Sequence, residues 1–208
     1  MKLKDEQRKA MFAKKIIVQG LNQKDPRIKR FVKHIRKEFA SKPESVQKSA
    51  KNIFLTKAKR EDDFSAFITF KREIDIRFQP KVSLKSYSVI LNHELDHAKF
   101  MKLKKTNSKA ITEYAKKVGK LKPFTLNLEI TKSDLDNELK SGKKIPLVKG
   151  TSASEEYVDE IHSESNQIGF RRKLGLPDSD LRIQIGFDPA LTSVWKKALK
   201  ATEILDSK

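Results

Sequence analysis

The sequence predicts an α+β fold: a small twisted mixed sheet packed on one long helix and on a second, acidic helix, with an N-terminal helical arm. Three observations predict it. Apolar residues recur at helical spacing over residues 28–39 and 84–103; they alternate over residues 64–70 and 74–78; and residues 154–174 carry helix start and stop signals at their ends. A chain of 208 residues is long enough to bury one real core.

The elements follow in chain order. In residues 4–48, Ile28, Phe31, Val32, Ile35 and Phe39 fall on one helical face, and Pro26 and Pro43 punctuate the segment. Two or three amphipathic helices are expected there, as an arm over residues 1–50 ahead of a domain over residues 51–208. From Ile53 the period changes to two. Phe64, Ala66, Ile68 and Phe70 alternate, as do Ile74, Ile76 and Phe78 around Asp75 and Arg77, which predicts two half-buried strands joined by a turn at residues 71–73. Pro80 ends the second strand. The helical period then returns, with Leu91, Leu95 and Ala98 on one side.

Beyond it, Ile111, Tyr114, Ala115 and Val118 predict a short helix, and Phe124, Leu126, Leu128 and Ile130 a third strand. A short helix over residues 133–139, a turn at residues 141–144 and a loop at residues 146–152 lead to the acidic helix. Ser152 or Ser154 can cap its start, Arg171, Arg172 and Lys173 fill its last turn, and Gly175 followed by Pro177 stops it. Ile183, Ile185 and Phe187 predict a last strand, and residues 190–205 a terminal helix carrying Trp195.

Composition narrows the function classes. The 46 basic residues against 27 acidic ones give a net charge of +19, spread along the chain, which attracts nucleic acid, acidic membrane surfaces or acidic protein segments. The absence of cysteine excludes disulfides, thiolate metal sites and a cysteine nucleophile, so any metal must use His, Asp or Glu. No apolar run is long enough for a membrane span or a cleavable signal peptide. The expectation is a chain made in the cytoplasm, with later secretion into a host or competitor cell left open.

The stretch NHELDHAKF, from Asn92 to Phe100, holds two of the four histidines, four residues apart, with Glu94 directly after the first. One helical turn puts the imidazoles of His93 and His97 on the same side, within reach of one ion. A catalytic zinc keeps one coordination position for water, and Glu94 is the residue that could take that water's proton. A third ligand must come from elsewhere. The other histidines are His34 and His162, and none follows shortly after the helix, so a carboxylate is expected. Glu156, Glu160 and Glu164, at spacings of four, form one acidic stripe on the later helix and leave three alternatives.

Together, the strand IDIRFQP, the helix LNHELDHA and the later acidic helix running into FRRKLGLP with Arg182 downstream resemble the NleD-like zinc metallopeptidases. These include type III secretion effectors and metallopeptidase domains of bacterial polymorphic toxins. The resemblance covers roughly residues 74–182. It implies a zincin-like architecture, a Zn2+ cofactor, peptide-bond hydrolysis in a protein substrate, and Glu160 as third ligand, with Glu164 the alternative and Ser163 at the family's small-residue position. Tyr157, His162 and Arg182 are candidates for stabilising the transition state, Tyr157 and Arg182 foremost. The sequence departs from the family's Glu-Asn pair, whose place falls on Gln167 and Ile168, or on Ser165 and Asn166 after a two-residue shift. The competing expectation is a basic nucleic-acid-binding protein whose HELDH helix is not catalytic. No zinc finger, KH loop or RNP pattern supports it.

Overall fold

The computed structural model describes residues 15–59, 66–69 and 71–118, together with Asp159, His162, Ser163, Asn166, Gln167, Phe170, residues 173–175, Lys200, Ala201 and Leu205. The fold is α+β, with a four-stranded mixed sheet and four helices among these residues. In order they are β1 (Ile16–Val18), α1 (Pro26–Ala40), α2 (Glu44–Gln47), β2 (Asn52–Lys57), β3 (Ala66–Ile68), β4 (Glu73–Phe78), α3 (Leu84–Thr106) and α4 (Ser108–Val118). The chain divides into two compact units, 1–102 and 103–208. The expected strands at residues 124–130 and 183–187 and the helix at residues 133–139 lie outside the described residues.

In the first unit the sheet order is β1-β2-β4-β3, with β1, β2 and β4 parallel and β3 antiparallel to β4. Register places Ile53 beside Ile74 and Leu55 beside Ile76, all fully buried, so these side chains line one face. That face shares a single core with Ile28, Phe31, Val32, Ile35 and Phe39 of α1 and with Tyr87, Leu91, Leu95 and Ala98 of α3. The predicted hairpin forms between β3 and β4. Its turn is closed by Arg72 N–H to Thr69 O at 2.8 Å and Thr69 N–H to Glu73 O at 2.9 Å, with Arg72 in the left-handed region at φ 60°.

Over its described part, residues 15–50, the N-terminal segment is not the purely helical arm expected there. Ile16–Val18 is a strand, paired in parallel with β2 through Ile16 and Ile53, and α1 lies in the same core as the strands. β1 stands at the end of the sheet order, and its three consecutive apolar residues carry no period that tells a strand from a helix. α1 and α2 form the crossover that two parallel strands require. Asp25 caps α1 by accepting from Arg27 N–H at 2.8 Å, with Pro26 in the first turn, where a missing N–H costs nothing. The Lys15 ammonium donates to Gln47 O at 2.9 Å and Ala50 O at 2.7 Å, tying the start of β1 to the end of the crossover. Burial, and then Arg72, push its pKa down.

In the second unit α4 buries Ala110 and Tyr114. Asp159, His162, Ser163, Asn166, Gln167, Phe170 and Lys173 have helical backbone, and Gly175 follows at φ 63°. This is the stop expected there: glycine takes the left-handed conformation after a helix without a Cβ penalty.

Candidate metal centre

The helix that carries His93, Glu94 and His97 is fixed to the sheet at its start. Ser83 Oγ accepts from Ser86 N–H at 3.0 Å, the bond of a capping serine. One turn on, the buried Tyr87 hydroxyl accepts the Gln79 N–H at 2.6 Å and donates to Arg77 O at 3.1 Å, joining α3 to the end of β4. Its ring meets Phe31 of α1 at 4.5 Å between centroids. Ser88 Oγ lies 2.7 Å from His34 Nε2, and Asn92 Nδ2 donates to Ser88 O at 2.6 Å. Sheet, crossover helix and α3 are thus locked together within two turns of His93.

Leu91, Leu95 and Ala98 face the shared core, while Val89 and Phe100, also buried, stand outside it. Glu94 and His97 are buried at 7% and 6% exposure, and His93 is half-buried. Near the end of α1, burial lowers the pKa of Lys42, opposed first by Glu38, at 3.7 Å, and more weakly by Asp96 of the HELDH turn.

The two imidazoles converge. His93 Nε2 and His97 Nε2 are 3.0 Å apart, with the rings edge to face at 85° and their centroids 4.6 Å apart. Two nitrogens bound at zinc distance to a tetrahedral ion lie about 3.3 Å from each other. The 3.0 Å separation is a hydrogen-bond contact between the rings and is close to the bite of two imidazoles on one zinc ion, so the pair is compatible with two of the ligands such an ion needs. Among the described residues no third His, Asp or Glu joins them. Glu160, Glu164, Glu156, Tyr157 and Arg182 lie outside the described residues. His162 is fully buried in the second unit, its ring edge-on to Tyr114 at 6.0 Å and its Nε2 3.4 Å from Asn166 Nδ2. Ser163 beside it is fully buried as well.

Sequence reasoning missed Tyr87 and the His34–Ser88 pair. Tyr87 lies four residues before Leu91, so periodicity could have put its ring on the core side, but the partners of its hydroxyl come from another element.

Comparison with protein-family models, with curated protein sequences and with solved structures returned no match. No described helix is long and apolar enough to cross a membrane.

Removing the Tyr87 hydroxyl tests the joint between sheet and helix. Tyr87→Phe leaves the Gln79 N–H without its acceptor and is expected to cost about 1–3 kcal/mol in urea denaturation. Burial pushes the Tyr87 pKa up from 10.0 to about 12, with a smaller lowering by the Gln79 backbone. A raised folded pKa stabilises fully below the unfolded value and is lost as pH rises through the folded one. Stability should therefore fall between pH 10 and about 12 in the wild type, and that fall should shrink in Tyr87→Phe.

Proposed function

We propose that the chain is a zinc-dependent endopeptidase of zincin-like architecture, akin to the NleD-like metallopeptidases and acting on a protein substrate as a secreted effector or toxin. The observation that supports this best is the convergence of His93 Nε2 and His97 Nε2 at 3.0 Å on one rigidly held helix, with the buried Glu94 one residue after the first. Bound zinc would supply a Lewis acid that polarises the scissile carbonyl and acidifies water. His93 and His97 would hold the ion, with Glu160, or alternatively Glu164, completing the donor set.

Glu94 accepts the proton of the attacking water as the new C–O bond forms and returns it to the leaving amine as the C–N bond breaks. Tyr157 and Arg182 are the groups proposed to donate to the oxyanion. β3 ends the sheet among the described residues and runs antiparallel to β4, which leaves an edge on which an extended peptide could add as a strand. Phe67 on β3 is 40% exposed, with the Arg77 guanidinium 4.9 Å over its ring, an aromatic surface beside that edge.

Metal analysis of the purified chain tests the proposal. About one zinc per chain is expected in the wild type, lost in His93→Ala and in His97→Ala. Glu160→Ala and Glu164→Ala assayed beside them identify the third ligand by which one loses metal. A folded wild type that binds no zinc and leaves casein intact would instead favour the nucleic-acid-binding alternative with a non-catalytic HELDH helix.

A further inference from the structure

We propose that the outer face of α1 is a docking surface for double-stranded DNA, holding its phosphates without reading its bases. The helix has 15 residues, so it is about 22 Å long. Arg27, Lys29, Arg30, Lys33, Arg36 and Lys37 are all exposed, and at 100° per residue the last five fall within about 120°, a third of the helix circumference, with Arg27 beyond His34 at the helix start. Its one acid, Glu38, is half-buried at the flank and lies 3.7 Å from Lys42. Arg27 is tied to Asp25 at 3.1 Å; the other five cations form no ion pair among the described residues.

A solvated helix face gains from mixing signs, because opposite charges three and four residues apart attract and like charges repel. Here Lys29, Lys33 and Lys37 succeed one another at spacings of four, and Arg30, Lys33 and Arg36 at spacings of three, all of one sign. A polyanion relieves that repulsion. The opposite face of the helix is held by Ile28, Phe31, Ile35 and Phe39 in the core, and His34, beside Arg30 at the edge of the cationic arc, bonds Ser88, so the cations sit on an ordered scaffold.

The form of the face selects the partner. A flat anionic surface faces chiefly the middle of such an arc, at Lys33, whereas Arg36 and Lys29 at one edge and Arg30 and Lys37 at the other match anions on two walls. The B-DNA major groove is about 12 Å wide and admits a helix between two rows of phosphates. The exposed large hydrophobic residues described, Phe67 and Leu84, are not on α1, so nothing on this face would insert into lipid or stack on a base. The surface uses none of the zinc-site residues and stands independently of the peptidase proposal.

The test is fluorescence anisotropy with a mixed-sequence DNA duplex of about 20 bp over about 50 to 200 mM salt. Three proteins are compared: the wild type, the triple variant Lys29→Gln/Lys33→Gln/Lys37→Gln, and the charge-matched control Lys109→Gln/Lys116→Gln/Lys117→Gln on α4. The α1 variant is expected to bind at least about tenfold more weakly at about 100 mM salt, with the slope of log affinity against log salt reduced by about 3, while the control stays close to the wild type. Should circular dichroism show the triple variant unfolded, Arg30→Gln/Arg36→Gln replaces it, with a slope reduced by about 2. Equal affinities and slopes in wild type and α1 variant overturn the proposal. So does preferential binding of phosphatidylserine vesicles, polyglutamate or an RNA duplex over the DNA duplex.

Discussion

Glu94→Gln is expected to reduce peptide hydrolysis about 10²- to 10⁴-fold while zinc content stays at the wild-type level. The substitution keeps the side chain's shape and removes its negative charge and, with it, its capacity to accept a proton. In the proposed reaction that capacity is used twice, once as water attacks and once as the amine leaves, so both proton transfers fail together. Because Glu94 is 7% exposed, bulk water is poorly placed to replace it as base. The measurement is casein cleavage with metal content determined on the same preparation. Activity retained within a few-fold would remove Glu94 from the mechanism; activity and zinc lost together would make it a ligand or a structural group instead.

Phe31→Ala should give the largest loss of stability, about 3–5 kcal/mol. Phe31 is fully buried at the centre of the first unit, with its ring 5.4 Å from Phe78 of β4 and 4.5 Å from Tyr87 of α3. The substitution opens a cavity where the crossover helix, the sheet and α3 meet. Against a total stability of about 5–15 kcal/mol, such a loss leaves the unit marginal. Urea denaturation followed by circular dichroism measures it. A loss below about 1 kcal/mol would mean that α1 contributes little to the core, as a loosely attached arm would.

The parts of the fold that were legible in the sequence are those whose burial is periodic and local. The apolar faces of α1 and α3 and the alternation of Ile74, Ile76 and Phe78 each record one-sided burial within a few residues, and each is buried as expected. β1 was missed because its ladder partner, Ile53, lies far along the chain and its three apolar residues have no period of their own. β2, the strand between β1 and β4, was foreshadowed only as a change of period at Ile53. At the candidate site, a spacing of four put His93 and His97 on one side of a helix. The approach of their Nε2 atoms to 3.0 Å depends on ring rotations, which spacing does not encode.

By itself the sequence determined which helix bears the paired histidines and which of its sides is apolar. Only the tertiary structure decided that the N-terminal segment enters the sheet, that Tyr87 bonds the end of β4, and that His34 meets Ser88. The physical reason is the range of the interactions. Helical faces and hairpins are written in neighbouring residues, whereas parallel pairing and buried polar bonds join groups whose partners are chosen only when distant segments fold together.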